Sequence, residues 1–418
     1  MLSVLTNAWA LLFGIFLLQI GNGLQGTLLG VRGGLEGFSA TTMGYVMSGY
    51  FVGFLGGARI TPWLLHRVGH VRVFAALASL ISAAFILYAA LVDPLAWFIM
   101  RLMVGFCFSG VYVVAESWLN DTATNETRGQ TLSAYLMAQM IGIVLAQALL
   151  NVSDPGGYDL FIIMSVVVSV SFAPILLSVS PTPVYQLTTR MTLRELFISS
   201  PLGCVGMFLL GTIFACLFGM SSVYAAAIGL TTTEISLFIG TIYVGGTVLQ
   251  YPIGWLSDHS DRRVLITGTM LLGTAAAILG MVASDSFALL LVAAFLIGGV
   301  ANPLYSLLIA HTNDFLEHEK MASAAGGMIM LNGIGAMGAP VLVGYLMDDY
   351  GPNALMAFIG AMMALIAAYG LYRMTARPTV AYEDATPLAP VGPAATGVAM
   401  EIAQDYVIDQ TSDAQEMT

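Results

Sequence analysis

The sequence predicts an all-α membrane protein of twelve spanning helices, arranged as two pseudo-symmetric halves of six. Three observations carry that prediction. Of the 418 residues, 58% are hydrophobic and only 9% charged, whereas about a quarter of the residues in a soluble domain carry charge. Twelve apolar runs reach the length of about 20 residues that a helix needs to cross a bilayer, without the period-2 alternation of barrel strands. The chain also repeats itself: Gly14, Phe16, Leu17 and Leu18 recur as Gly206, Phe208, Leu209 and Leu210, and Asn120-Asp121 recurs as Asn313-Asp314.

Taken in order, the first run (8–31) is too long for the apolar core of a secretory signal and has no basic segment before it, so it is expected to stay as a helix. Gln19, Asn22 and Gln25 are spaced every three residues along it. The second (40–62) carries Gly49, Gly53 and Gly57, which allow close helix approach, and Arg59, whose long side chain can snorkel to the interface. The third (73–92) is apolar. The fourth (95–118) holds Arg101, Gly105, Ser109, Tyr112 and Glu116 at steps of three or four, which places them on one face.

The fifth (131–151) contains Gln139 and Gln147, and the sixth (159–180) is again apolar. The seventh (201–229) carries Ser221, Ser222 and Tyr224. The eighth and ninth (232–256 and 264–284) flank a basic loop. The tenth (286–311) carries Asn302, Tyr305, Ser306 and, at its end, His311. The eleventh (322–347) has Gly335, Gly338 and Pro340, and the twelfth (353–373) closes the bundle. Cys107, Cys204 and Cys216 fall inside apolar runs without metal-ligand spacing and read as packing residues.

The repeat divides the chain into halves at 1–180 and 200–374, joined by a linker at 181–199 in which Thr192 and Glu195 are spaced as a capping box for the seventh helix. Beyond lies a tail, 375–418, with seven acidic residues and no Lys or Arg after Arg377. It is expected to be disordered and cytoplasmic. Of the thirteen positive charges, Arg67, Arg72, Arg128, Arg190, Arg194, Arg262, Arg263, Lys320, Arg373 and Arg377 fall on the side shared by both termini. The positive-inside rule therefore places both ends in the cytoplasm.

Two buried charges need partners, because a charge within a span is costly and by default functional or paired. Arg101 and Glu116 lie roughly 22 Å apart along the helix, at 1.5 Å per residue, and cannot pair with each other. For Arg101 the alternatives are a solute anion, a coupling role or backbone carbonyls. For Glu116 they are an ion pair with Arg59, Arg67 or Arg72, or proton coupling through a raised carboxyl pKa.

Gly254-Trp255-Leu256-Ser257-Asp258-His259-Ser260-Asp261-Arg262-Arg263 resembles the loop signature of the major facilitator superfamily, with His259 and Asp261 departing from its usual Arg/Lys and Gly. The loop from Pro62 to Arg72 keeps Arg67 and Gly69 but has His66 where that signature has Asp. Arg101-x-x-x-Gly105, followed by Tyr112-Val-Val-Ala-Glu116-Ser117 and Arg128-Gly129-x-x-x-x-Ala134-Tyr135, is similar to the YcaD-like group of bacterial transporters within that superfamily. The Pro-containing helix-five signature of drug/proton antiporters is missing.

The resemblance implies the major facilitator fold, a bacterial inner-membrane location and movement of a small solute by alternating access, with helices one, four, seven and ten lining the path. Gln19, Asn22, Gln25, Arg101, Ser109, Tyr112, Ser222, Asn302 and Tyr305 are then the candidate cavity residues. Glu116, Arg67, Arg72, Asp258, Arg262 and Arg263 are candidates for coupling or gating. The arginines could equally serve only as topology anchors.

The implied partners are a small-molecule solute and the lipid bilayer, with protons left open, acting on a monomer without nucleic acid. No cofactor or metal is expected, and no enzymatic activity, since neither a phosphate-binding loop nor paired catalytic groups appear. A facilitated-diffusion uniporter, or a sensor built on a transporter scaffold with the tail as its output, are the alternatives.

Overall fold

The computed structural model describes residues 2–122, 127–177, 191–282 and 286–376, together with Leu388, Ala395, Thr396, Val398, Ala399 and Ala403. Arg190, Arg377, Asp285, the side chain of Arg128, the first part of the linker and most of the tail lie outside them. Among the described residues there is no strand. The helices are α1 Leu2–Leu35, α2 Ala40–Val68, α3 His70–Ala90, α4 Pro94–Thr122, α5 Arg128–Leu149, α6 Asp159–Leu177, α7 Pro201–Ala227, α8 Thr232–Ser257, α9 Arg262–Val282, α10 Phe287–Asn313, α11 His318–Tyr350 and α12 Ala354–Ala376. Eleven are long and apolar enough to cross a membrane. The twelfth, α2, spans 29 residues but includes Arg59, His66 and Arg67, which lower its mean hydropathy.

Several boundaries depart from expectation for local reasons. The expected loop after α2 shrinks to Gly69, whose φ of 82° is open to glycine at no steric cost. The capping box at Thr192 and Glu195 forms, but it starts a separate helix, Leu193–Ser199, and not the seventh span. Pro201 disfavours helical backbone at the residue before it, and Ser200 accordingly sits at φ −138°, ψ 80°. The Thr192 hydroxyl and backbone amide hold the Glu195 carboxyl below its ordinary pKa. Within α7, Cys216–Met220 forms a π turn, a local widening that often accompanies function.

The repeat is visible in the packing. A Cβ at Gly53 of α2 would fall on the Leu102 carbonyl of α4, and one at Gly105 on the Tyr50 carbonyl. The equivalent positions repeat the contacts, Gly245 against the Phe295 carbonyl and Gly298 against the Ile242 carbonyl. Gly142 meets the Phe16 carbonyl as Gly335 meets that of Phe208. Only glycine permits backbones to approach this closely, the packing favoured where lipid removes the hydrophobic drive between helices.

The chain forms two compact units. One comprises Met1–Leu187, Ala215–Gly240 and Met337–Leu355, the other Thr188–Phe214, Thr241–Ala336 and Met356–Thr418. The first unit thus contains α1–α6 with the later part of α7, the start of α8 and the end of α11. Its distal end carries the loops at 36–39, 91–93, 228–231 and 351–353. There, Asp348 of α11 accepts hydrogen bonds from Ala40 N (3.0 Å) and Thr41 N (2.9 Å) of α2, while Ser39 accepts from Thr42 N. These acceptors satisfy amides that a helix start leaves without intrahelical partners. Tyr45 and Tyr345 meet hydroxyl to hydroxyl at 3.1 Å.

Candidate functional site

The polar triplet of α1 faces α4 and the neighbouring helices. Tyr112 of α4, fully buried, donates its hydroxyl to Gln19 Oε1 at 2.8 Å, and Asn22 Nδ2 donates to the Tyr112 oxygen at 3.1 Å. One turn further on, Gln25 Nε2 donates to the Tyr88 hydroxyl of α3 at 3.0 Å. Gln25 Oε1 in turn accepts from Arg101 Nη1 at 3.1 Å. The three-residue spacing in α1 therefore places three carboxamides along one face, bonded to the face of α4 that carries Arg101 and Tyr112.

Arg101 is 4% exposed. Besides Gln25, its Nη2 contacts Met47 Sδ at 2.8 Å and its guanidinium lies 5.1 Å from the centre of the Tyr50 ring, both on α2. Its Nε is buried with no hydrogen-bond partner among the described residues. Met47, Tyr50 and Tyr88 escaped the sequence reading. They stand in runs that look uniformly apolar, and only the packing of α2 and α3 on α4 turns them toward Arg101.

Ser109 lies on the same face of α4 but joins no network. Its hydroxyl, buried beside Gly57, has no partner among the described residues. Ser222 of α7 donates to the Gly26 carbonyl of α1 at 3.3 Å, one turn beyond Asn22. In the second unit, Asn302 of α10 lies against Gly246 of α8, and its Oδ1 has no partner among the described residues. Tyr305 packs with its ring centre 6.2 Å from that of Phe214. A separate cavity of about 680 Å³ opens at the distal end of the first unit, beside Gly34, Phe38, Asp154, Thr231 and Asp348. None of the candidate cavity residues lines it.

Glu116, 1% exposed, accepts a hydrogen bond from the Tyr135 hydroxyl of α5 at 3.0 Å. Beside it, His70 of α3 meets the Ser117 hydroxyl at 3.0 Å. Arg67 and Arg72 are exposed, Arg67 lying 5.3 Å from the centre of the Trp63 ring. In the second unit Arg262 is buried. It donates to Asp314 and to the Ala310 carbonyl at the end of α10, and lies 3.8 Å from Asp258. Arg263 forks onto Asp261. In the sequence Asp314 stands out only as half of the repeated Asn-Asp pair; its ionic role becomes visible only in the fold. Asp258 also accepts from the Leu388 amide of the tail at 3.0 Å. Of the other described tail positions, Ala395, Thr396, Val398, Ala399 and Ala403 are buried.

A helical membrane protein with a repeated core, basic loops and a buried polar cluster on its first and fourth helices has the layout of a solute transporter. The sequence profile of the Major Facilitator Superfamily matches residues 11–239 and 203–400. The chain belongs to that superfamily.

It is 25% identical over 357 residues to the MFS-type transporter YcaD of Escherichia coli strain 536, covering 84% of this chain and 92% of YcaD. The Escherichia fergusonii YcaD is 26% identical over 355 residues with the same coverage, so the resemblance to the YcaD-like group is borne out. Among solved structures, the nucleoside transporter NupG superposes with a TM-score of 0.68 at 15% identity, and a point mutant of it with 0.72 at 13%, each covering 87% of this chain and 98% of NupG. A bacterial homologue of the human lysosomal transporter Spinster, inward-facing and unoccupied, gives 0.66 at 13% identity and covers 96% of this chain and 97% of its own. Both show the shared fold.

Proposed function

We propose that the protein is a secondary transporter that carries a small solute across the bacterial inner membrane by alternating access. Its lobes are the halves 1–180 and 200–374, with both termini cytoplasmic. The solute binds at the cluster of Gln19, Asn22, Gln25, Arg101 and Tyr112, with Ser222 a further polar group of the same unit; Asn302 and Tyr305 are the candidate solute contacts of the other unit. The observation that carries this reading is a buried, hydrogen-bonded polar network with a cation on the facing surfaces of α1 and α4, which in a membrane protein marks a solute pathway by default.

Superfamily membership and the fold shared with solved solute transporters support the reading. Among the described residues Glu116 is the acidic side chain buried within a spanning helix, so it is the group through which a proton gradient would act. Arg67, Arg72, Asp258, Arg262 and Arg263 serve as the cytoplasmic gate and its anchors.

The test is counterflow in reconstituted vesicles against a metabolite library, followed by the same assay on variants. Tyr112→Phe and Gln25→Ala should each lower flux per folded molecule while surface expression is retained. Unchanged flux in both, and in Arg101→Lys, would remove these residues from the pathway.

A further inference from the structure

The buried arginines of the described structure differ in one respect. Arg262 pairs with Asp314, and Arg263 with Asp261 at 3.1 Å. Arg101, as deeply enclosed as Arg262, has no carboxylate partner among the described residues. Its contacts are a carboxamide oxygen, a thioether sulfur and an aromatic face. A guanidinium stays charged, and a buried charge without a counter-ion is strongly unfavourable. The protein supplies the cation of an ion pair and leaves the anion to come from elsewhere.

The planar group also shows where that anion fits. Nη1 is taken by Gln25. Nε and Nη2 share the opposite edge, whose two parallel N–H bonds match the two oxygens of a carboxylate. On that edge Nε has no partner and Nη2 has only the Met47 sulfur, a weak acceptor. Methionine is unbranched and adaptable, so its thioether can swing aside at small cost. The neighbours Gln25, Tyr50, Tyr88 and Asn22 are uncharged, so one negative charge balances the site and a second would not. From this we infer that the transported solute bears a single carboxylate, held side-on by the Nε–Nη2 edge of Arg101 after displacing Met47 Sδ. The inference rests on the proposed transport function and names its substrate class.

The smallest carboxylates test it without knowledge of the rest of the solute. Purified full-length protein would be melted in formate and acetate, and in formamide and acetamide, at one ionic strength. Acetate at tens of millimolar should raise the wild-type melting temperature a few degrees above acetamide, as expected for a ligand that binds only the folded state. In Arg101→Gln the acid and the amide should act alike. Arg101→Lys keeps the charge without the fork and should lose most of the difference. Met47→Leu removes the competing acceptor at nearly constant volume and should enlarge the acetate response, which keeps the test decisive should Arg101→Gln not fold. Equal responses of wild type to acetate and acetamide would overturn the inference, as would an acetate preference that survives in Arg101→Gln. Flux distinguishes this from failure of the transport reading: acetate binding at Arg101 with no solute crossing vesicles refutes transport alone, and flux of neutral solutes without acetate binding refutes the carboxylate alone.

Discussion

Glu116 and Tyr135 show how a charge is tolerated in the core of a span. The carboxylate accepts the phenol hydroxyl at 3.0 Å from the next helix, and both side chains are buried. Hydrogen bonds to charged groups contribute about 1.5–3 kcal/mol, and a donor lost here cannot be replaced by bulk water. Tyr135→Phe should therefore lower the melting temperature of the purified protein, whereas Glu116→Gln, which keeps an acceptor for Tyr135, should be milder than Glu116→Ala. A Tyr135→Phe variant as stable as wild type would show that the bond contributes nothing. At this scale much was legible in the sequence. Gln19, Asn22, Gln25, Arg101 and Tyr112 are polar residues in apolar runs, and their spacing alone puts them on common faces. Their partners were not, because Tyr50, Tyr88, Met47 and Tyr135 look like ordinary core residues until neighbouring helices rotate them inward.

At the scale of elements, the glycine contacts explain why the repeat survives in a sequence otherwise free to vary among apolar residues. A methyl group at Gly53 would meet the Leu102 carbonyl, and one at Gly245 would meet the Phe295 carbonyl. Backbone atoms in packed helices cannot yield as a flexible side chain can. Gly53→Ala and Gly245→Ala should each push a helix pair apart at a cost of about 1–3 kcal/mol, read as a lowered melting temperature. Gly268→Ala, where a methyl meets open space, should instead be neutral or stabilising, since alanine favours helix over glycine by about 1 kcal/mol. If all three behaved alike, close backbone approach would not be the reason for glycine at 53 and 245. Helix number and span positions followed from apolar length. The π turn at Cys216–Met220 and the separate helix Leu193–Ser199 did not, because the first leaves no sequence mark in an apolar run and the second depends on one proline.

At the scale of the whole molecule, the distal end of the first unit carries a seam whose two sides come from different halves of the sequence. Asp348 caps α2 through Ala40 and Thr41, residues 308 and 307 positions away, a pairing no local pattern could announce. Beside it Tyr45 and Tyr345 join hydroxyls, and a Cβ at Gly344 would fall 2.5 Å from the Ala40 carbonyl. If the halves rock about a central site, this seam has to open once in every cycle, and holding it shut has to stop transport without unfolding the protein. Tyr45→Cys with Tyr345→Cys, bridged by a short thiol-reactive linker that a reductant removes, would hold it shut. The exposed pair should react selectively, since Cys107, Cys204 and Cys216 are buried. Linked protein should retain its melting temperature and lose counterflow, and reduction should restore it. Asp348→Asn should act in the opposite sense, because a carboxamide is a weaker acceptor than a carboxylate for the two α2 amides. It should favour the distally open state, measured as faster labelling of a cysteine placed at Met347, which is buried beside Asp348. Transport at the wild-type rate by the linked molecule would exclude alternating access through this seam.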